Sequence, residues 1–280
     1  MGRRKKVRVR KAAGHLENFK AVKLRGSLIR SGADPSTAED IVDDVLERVG
    51  LETTTREIYR IAHTQLRKMD RACGVRYTLK SALFRLGPTG YPFEHFIADI
   101  FKDYGYRTRT GKTLEGKCTT HEVDVLAVND REVSVMECKF HKAKGTTTDV
   151  KVALYVHSRI RDLEPTIADA YPGREYSGRI VTNTRFTADA LRYARCSGFS
   201  LLSWKYPDGG GLEQMIESRK LYPVTIVTGI QAGLVDKLIA ERILLLRDLL
   251  TLDETVLRSR LGLSRGKARL LRKKAEALCG

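Results

Sequence analysis

The sequence lacks long hydrophobic runs and paired cysteines, and each absence argues against a class of protein. No run approaches the roughly 20 apolar residues that cross a bilayer, so we expect no membrane-spanning segment. The basic start MGRRKKVRVR has no apolar core of the kind that a signal peptide carries, which argues against secretion. The 5 cysteines are odd in number and form no CxxC pair. This pattern argues against a disulfide framework and a zinc site, and it indicates a cytoplasmic protein.

Acidic residues are scarce relative to basic ones. The 280 residues include 51 Lys and Arg but only 34 Asp and Glu, which gives a formal net charge of +17. Such an excess favours a polyanionic partner such as nucleic acid. A soluble basic protein without a specific ligand has the same composition, so charge alone does not distinguish the two.

Glycine and proline divide the chain into three segments. Two of each fall near the end of FRLGPTGYP, and PDGGG marks a second break. We therefore predict domains at 5–90, 91–206 and 207–280. The pattern predicts a short strand and several helices in the first, alternating helices and strands in the second, and helices at the end of the third.

A helix and a hairpin of the middle segment bring acidic side chains together. Apolar residues recur at helical spacing in PFEHFIADIFKDYGY, and Glu94 lies at the edge of that stripe. The stretch HEVDVLAVNDREVSVMECKF predicts two strands joined by an even-numbered loop around Asn129–Glu132. Asp124 then lies opposite Glu137, with Cβ atoms roughly 4.5–5.5 Å apart. Lys139 projects from the same face.

Neighbouring carboxylates in an apolar setting repel each other unless a cation joins them. Mg²⁺ prefers oxygen ligands and uses one or two carboxylates together with water and a substrate phosphate. Asp124 and Glu137 are therefore candidate ligands of Mg²⁺ or Mn²⁺ in a site for phosphodiester hydrolysis. Lys139 would orient water or neutralise developing charge. The alternative is an internal salt bridge that shares Lys139 between the two acids, although buried triads of this kind stabilise proteins poorly.

The order of these acids resembles a known nuclease motif. An acid on a helix, an aspartate on a strand and Glu-x-Lys on the next strand are typical of the PD-(D/E)xK superfamily, and the chain looks most like its Mrr-like restriction endonucleases. The resemblance covers most of 91–206, although no proline precedes the aspartate. It implies a restriction-endonuclease-like α/β fold with a mixed-sheet core, and metal-dependent cleavage of double-stranded DNA. The catalytic residues that it implies are Glu94, Asp124, Glu137 and Lys139.

The segment from Val7 to Lys68 resembles the ATP-cone, a small α+β nucleotide-binding regulatory domain. Ala12 stands where that family has an arginine, unless a one-residue shift of the basic pair compensates. The nucleotide-binding positions that the resemblance implies are Val9, Arg10, Lys11, Glu17, Lys23 and Thr55. It implies that ATP or dATP is an effector. No GxxxxGK[ST] loop is present, so a P-loop ATPase is not supported. The alternative is a basic helical module that holds DNA phosphates.

The end of the chain looks like a helix-hairpin-helix module. The turn Leu261-Gly262-Leu263 has the apolar–glycine–apolar pattern of such hairpins, and a serine follows that can cap the next helix. Such modules bind phosphate without reading bases. The implied DNA-binding residues are Gly262, Ser264, Arg265, Lys267 and Arg269. The alternative is an amphipathic helix pair packed on the nuclease core with its charges solvated.

These patterns together predict a metal-dependent DNA endonuclease that ATP or dATP modulates, and we expect it to form a homodimer. The rival function is a nucleotide-responsive DNA-binding regulator whose nuclease fold is inactive. Retention of Asp124, Glu137 and Lys139 argues against that rival. A repressor that combines an ATP-cone with a zinc ribbon is disfavoured by the missing CxxC pairs.

Overall fold

The protein divides into two compact units, Met1–Lys80 and Ser81–Gly280. The structure, a computed structural model, describes residues 8–10, 16–50, 53–69, 73–74, 77–87, 89–143, 145–227 and 229–280. None of the described helices combines the length and the apolarity needed to cross a membrane.

The first unit contains a two-stranded antiparallel sheet and a group of helices. Its elements are β1 (Arg8–Arg10), β2 (Leu16–Asn18), α1 (Ala21–Arg30), α2 (Pro35–Arg48), α3 (Thr55–Met69) and the start of α4 (Leu79–Leu83), in which the boundary between the units falls.

The helices of the first unit follow the predicted apolar stripes. Ile41 and Val45 of α2 are buried together with Leu66 of α3. Asp34 caps the start of α2, because its Oδ1 accepts hydrogen bonds of 3.0 Å from the backbone N–H groups of Ser36 and Thr37. A hydrogen bond from the Thr37 side chain, followed by that from the Thr37 backbone, holds the pKa of Asp34 below its usual range.

The second unit alternates helices and strands and then ends in helices, as the sequence predicts. After the shared α4, its elements are α5 (Tyr91–Asp103), β3 (Arg107–Glu115), β4 (Thr120–Val128), β5 (Glu132–Lys139), β6 (Thr147–Thr148), α6 (Val150–Ala170), β7 (Glu175–Thr182), β8 (Arg185–Phe186), α7 (Ala188–Ser197), β9 (Ser200–Leu202), α8 (Leu212–Ser218), α9 (Ala232–Ala240), α10 (Asp248–Thr251), α11 (Glu254–Leu261) and α12 (Arg265–Cys279).

A five-stranded mixed sheet lies at the centre of the second unit, with strand order β3-β4-β5-β7-β9. The first three strands pair antiparallel, whereas β5, β7 and β9 run parallel. Helix α5 packs on β3 and β4, and α6 packs on β5 and β7. The α/β mixed-sheet prediction is therefore confirmed, and the arrangement is consistent with a restriction-endonuclease-like core.

Local signals in the sequence set the ends of these elements. The Thr187 side chain caps α7 by accepting a 3.3 Å hydrogen bond from the Ala190 N–H, and α7 ends at Gly198, whose φ is 75°. In the hairpin between β4 and β5, Asn129 Oδ1 accepts hydrogen bonds from the N–H groups of Arg131 at 2.8 Å and Glu132 at 2.7 Å. This turn fixes the predicted even-numbered loop.

The C-terminal helices belong to the same compact unit as the sheet. Arg247 and Arg219 form ion pairs of 2.6 and 3.3 Å with Asp103 at the end of α5. Leu257 of α11 and Leu271 of α12 are buried. The segment 207–280 is therefore packed on the part of the chain that carries the sheet.

Replacing Gly178 of β7 with alanine should destabilise the second unit by about 1–3 kcal/mol, because the added methyl group overpacks the core. A Cβ atom at this position would lie 2.4 Å from Cδ1 of Ile160 in α6. Thermal unfolding of the full chain measures the effect. The control is Gly266→Ala in α12, where the added carbon meets nothing within 4 Å and the melting temperature should stay the same or rise slightly. Equal melting temperatures for Gly178→Ala and the control would contradict this account of the packing.

Candidate active site

Asp124 lies on β4 where the strand pairing is interrupted on both sides. The pairing of β3 with β4 omits the position at which Gly111 would oppose Asp124, and Gly111 has a φ of 56°. On the other side, the pairing of β4 with β5 ends at Val125 opposite Met136. Beyond that end, Asp124 Oδ2 accepts a 2.6 Å hydrogen bond from the N–H of Cys138. The aspartate therefore replaces a missing strand partner.

Glu137 is buried near the end of β5, and each of its carboxylate oxygens is paired with a cation. Lys139 Nζ lies 2.5 Å from Oε1, and Arg159 NH1 of α6 lies 2.7 Å from Oε2. Arg159 also donates to the backbone carbonyl of Glu122 on β4. Burying this carboxylate costs free energy because it loses its contact with water. Two cations offset that cost better than a single ion pair does.

Glu94 of α5 adds a third carboxylate to the site. Burial, followed by the negative charges of Asp124 and Glu137, raises the pKa of Glu94 to about 7. Burial and then Glu137 raise the pKa of Asp124 to about 6. Acids that shift each other's pKa values in this way lie within strong electrostatic range. The structure thus brings the four predicted catalytic positions together.

Buried polar contacts hold the end of the strand that carries Lys139. The Thr182 hydroxyl of β7 donates a 2.8 Å hydrogen bond to the carbonyl of Lys139. The Asn183 side chain accepts from the N–H of His141 at 2.8 Å and donates to its carbonyl at 2.9 Å. These contacts fix the backbone on both sides of the strand end, and therefore the position from which the lysine side chain starts.

The acids of the site fit a hard divalent cation. No three His, Cys, Asp or Glu side chains among the described residues form a metal cage. Mg²⁺ does not need one, since it commonly uses one or two carboxylates and completes its coordination with water and phosphate. Asp124 and Glu137 supply two carboxylates, and burial, followed by the charge of Glu137, raises the pKa of Asp124. Their oxygen donors suit Mg²⁺ or Mn²⁺.

The predicted nucleotide-binding residues fall on separate elements of the first unit. Val9 is buried in β1 and pairs with Glu17 of β2. Lys23 is exposed on α1, and Thr55 is the first residue of α3. Lys11 and the side chain of Arg10 lie outside the described residues.

The predicted DNA-binding residues lie at the junction of α11 and α12. Gly262 ends α11 in the left-handed conformation with a φ of 64°. The Ser264 hydroxyl caps α12 by accepting a 3.4 Å hydrogen bond from the N–H of Lys267. Arg265 and Arg269 are exposed and lie 3.4 and 3.3 Å from the carboxylate of Glu254. The pattern of turn and cap is as predicted. Glu254 partly neutralises the charges of the two arginines.

Comparison with known proteins identifies relatives of this chain. A protein of Archaeoglobus fulgidus, known only as an uncharacterized protein, is 35% identical over 184 residues, which are 66% of this chain and 100% of that protein. The crystal structure of AF1548, a protein of unknown function, is 34% identical with a TM-score of 0.56 and covers 67% of this chain and 97% of its own. Residues 222–279 match the family model AF1548-like, C-terminal.

The chain belongs to the AF1548-like family. Residues 88–205 also match a restriction endonuclease family model, which supports membership of the restriction-endonuclease-like superfamily. This segment contains Glu94, Asp124, Glu137 and Lys139, and the C-terminal segment of the AF1548-like family contains the predicted DNA-binding residues. A repair endonuclease from Pyrococcus abyssi is 19% identical over 38% of this chain and 41% of its own, with a TM-score of 0.27, which is too low to establish a common fold. The ATP-cone lies outside both matched segments and stays a prediction.

Two arginines that contact the strand and the helix of the acids in this AF1548-like chain carry no signal in the sequence. Arg159 contacts Glu137 across 22 residues of sequence, and Arg242 contacts His95 across 147. Neither belongs to a motif with fixed spacing. Only the packing of α6 and of the C-terminal segment on the core brings them to these positions.

Without metal, the clustered acids should make stability depend on pH. The native pKa values of Asp124 and Glu94 are about 6 and about 7, against 3.8 and 4.5 for unperturbed groups. The folded protein keeps these protons up to a higher pH than the unfolded chain does. The two protonated acids therefore contribute fully to stability below about pH 4, and this contribution is lost as the pH rises to about 7. In a chelating buffer, Asp124→Asn with Glu94→Gln should therefore gain stability relative to the wild type across this window.

Denaturant unfolding at a series of pH values measures that difference. The control is Asp130→Asn, which removes an exposed acid of the hairpin turn. Parallel stability curves for the wild type and the double variant would contradict the clustering of the acids.

Proposed function

We propose that this protein is a metal-dependent endonuclease that hydrolyses phosphodiester bonds of double-stranded DNA and that ATP or dATP modulates. The observation that supports this best is the meeting of Asp124, Glu137, Lys139 and Glu94 within the segment that matches a restriction endonuclease. Acids with raised pKa values, such as Glu94 and Asp124, beside a lysine are typical of sites that use a cation and a phosphate substrate.

Asp124 and Glu137 are the residues that would hold Mg²⁺ or Mn²⁺. When bound, the cation supplies positive charge at the scissile phosphate and lowers the pKa of attacking water. Asp124 is oriented for this role by the Cys138 N–H, and Glu137 by Arg159. Asp124, already oriented, needs little rearrangement when substrate arrives, whereas Glu137 has to open one of its two ion pairs to bind the cation.

Lys139 and Glu94 have roles that their contacts and pKa values suggest. The Lys139 side chain is one-third exposed, and its ammonium lies beside Glu137, where it neutralises negative charge that develops on the phosphate. Glu94, with a pKa of about 7, exists in both protonation states near neutral pH and can accept or donate a proton. Placed on a helix rather than on the central strands, it supports the reaction from the edge of the site.

A second candidate function is a DNA-binding regulator with an inactive nuclease fold. The observation that favours it is that both oxygens of Glu137 already form ion pairs, with Lys139 and Arg159. A carboxylate held in this way remains unavailable to a cation unless one ion pair opens. The two functions differ in whether divalent cations support cleavage.

The basic charge of the chain supports DNA as the substrate. The net charge is +17, and α12 exposes a row of cations that includes Lys267 and Lys273. Contacts of this kind bind phosphates and position a nucleic acid without reading its sequence. Gly262, Ser264, Arg265 and Arg269 belong to the same proposed surface.

Supercoiled plasmid should be nicked or cut in the presence of Mg²⁺ or Mn²⁺ and remain intact in a chelator. Asp124→Asn, Glu137→Gln and Lys139→Ala should each lower the rate at least about 100-fold, because each removes charge stabilisation at the phosphate. Glu94→Gln should have a smaller effect. Agarose gels resolve the products, and Asp130→Asn serves as the control that leaves cleavage intact.

DNA binding by the three inactive variants separates a catalytic defect from loss of the fold. The carboxylate variants should bind plasmid as tightly as the wild type or more tightly, because they carry less negative charge. Undiminished cleavage by Glu137→Gln would overturn the catalytic assignment. DNA binding by the wild type without cleavage in any divalent cation would favour the regulator.

ATP or dATP should bind the first unit without being hydrolysed. The segment has no phosphate-binding loop of the GxxxxGK[ST] type, and Lys11 and Lys23 offer charge that a triphosphate neutralises. The nucleotide would bind one of two conformational or oligomeric states of the protein more tightly than the other. It would thereby change cleavage or homodimer formation.

Calorimetry should detect micromolar binding of ATP or dATP, about −8 kcal/mol, to the full chain. The heat should disappear in the Lys11→Ala, Lys23→Ala double variant and persist in the control Lys20→Ala, which removes an exposed cation next to α1. Sedimentation with and without ATP measures the dimer. Absence of any heat with the wild type would leave residues 7–68 as a DNA-binding module, and steady release of phosphate would overturn the effector role.

A further inference from the structure

Arg242 follows α9 in a backbone conformation that arginine rarely adopts. Its φ is 57°, in the left-handed region that favours glycine. The helix ends in a Schellman arrangement, because the N–H of Ile243 donates to the carbonyl of Leu238 at 2.9 Å and the N–H of Arg242 to that of Ile239 at 3.0 Å. A glycine would meet this geometry without strain, so the arginine needs another reason to be there.

The side chain of Arg242 reaches helix α5 at the first turn. Its NH2 group lies 3.0 Å from the hydroxyl oxygen of Tyr91 and 3.0 Å from Nδ1 of His95, and the guanidinium lies 5.7 Å from the centre of the Tyr91 ring. Burial and then Arg242 lower the pKa of His95 to about 4. The histidine is therefore neutral at physiological pH and accepts a hydrogen bond from the arginine.

No carboxylate of the described residues lies within ion-pair distance of Arg242, in contrast with its neighbours. Arg219 and Arg247, which also join the C-terminal segment to α5, both pair with Asp103. Asp99 lies one turn beyond His95 on α5 and forms no ion pair with Arg242. Burial raises the pKa of Asp99 to about 6, and the charges of Lys102 and Arg242 partly offset that rise. Arg242 is exposed, so its remaining N–H donors are available to an anion from solution.

The contacts of Arg242 lie on the turn of α5 that carries Glu94. Tyr91 and His95, which contact the arginine, flank Glu94 on α5, and residues three apart on a helix share one side. The Thr110 hydroxyl of β3 lies 3.1 Å from Nδ1 of His95, and the next residue is the glycine that would oppose Asp124. The arginine therefore contacts the turn of α5 from which Glu94 extends.

We infer that Arg242 binds a phosphate of double-stranded DNA at this site, so that the C-terminal segment supplies part of the substrate-binding surface. The Tyr91 hydroxyl, whose oxygen accepts from the arginine, adds a second donor, and the tyrosine side chain is 56% exposed. This inference rests on the proposed cleavage of DNA. If Arg242 binds phosphate, the segment 222–279 has two roles. It contributes Arg242 to the substrate site, and its helix α12 contributes the phosphate-binding surface proposed above.

The unusual backbone of Arg242 allows a test that separates charge from stability. Arg242→Gly removes the guanidinium and relieves the left-handed strain, so the melting temperature should stay the same or rise. Binding of a fluorescein-labelled duplex in a chelator should weaken roughly tenfold, the loss of one charge-assisted hydrogen bond. The slope of log affinity against log salt should become shallower by about one. Arg242→Lys should keep the slope and lose part of the affinity.

Lys220 offers a matched control, since it is also an exposed cation with a positive φ, 53°, and its ammonium bonds the carbonyl of Gly280 at 2.5 Å. Lys220→Asn should leave affinity and slope unchanged. Wild-type affinity and slope in Arg242→Gly would overturn the inference and reduce Arg242 to a link between α9 and α5. Failure of the wild type to bind duplex DNA would overturn it as well. Binding without cleavage, with the slope changed in Arg242→Gly, would refute the proposed nuclease and keep the phosphate contact.

Discussion

Electrostatic repulsion among three carboxylates is the constraint around which the second unit is organised. Glu94, Asp124 and Glu137 come from a helix and two strands, and burial together with the negative charge of neighbouring acids raises the pKa values of the first two. A fold tolerates such a cluster only with compensating charge or bound cations. Lys139 and Arg159 supply that charge at Glu137, and the Cys138 N–H supplies a partial one at Asp124.

Helix α5 connects this cluster to the rest of the second unit. Its apolar face packs on β3 and β4, its first turns carry Glu94 and contact Arg242, and Asp103 at its end holds two arginines of the C-terminal segment. A shift of α5 would therefore move an acid of the site and the C-terminal helices together. Such coupling gives a physical route by which a displacement of the C-terminal helices can alter the acids.

Features set by short stretches of sequence were predicted correctly. The hairpin register followed from the turn at Asn129–Glu132, and the structure pairs Val125 with Met136 as expected. The start of α12 followed from the serine that caps it. Each of these depends on hydrogen bonds between residues a few positions apart, which the order of residues specifies directly. The roles of the acids and of the ATP-cone positions remain predictions.

The sequence by itself determined the helices and strands, the register of the hairpin that carries Asp124 and Glu137, and the excess of positive charge. Only the tertiary structure decided which cations meet the acids. Arg159 and Arg242 lie 22 and 147 residues from the side chains they contact. The packing of α6 against the sheet and of the C-terminal segment against α5 sets those distances. Such contacts depend on how whole helices and strands pack against each other. The spacing of residues within one helix or strand does not specify that packing.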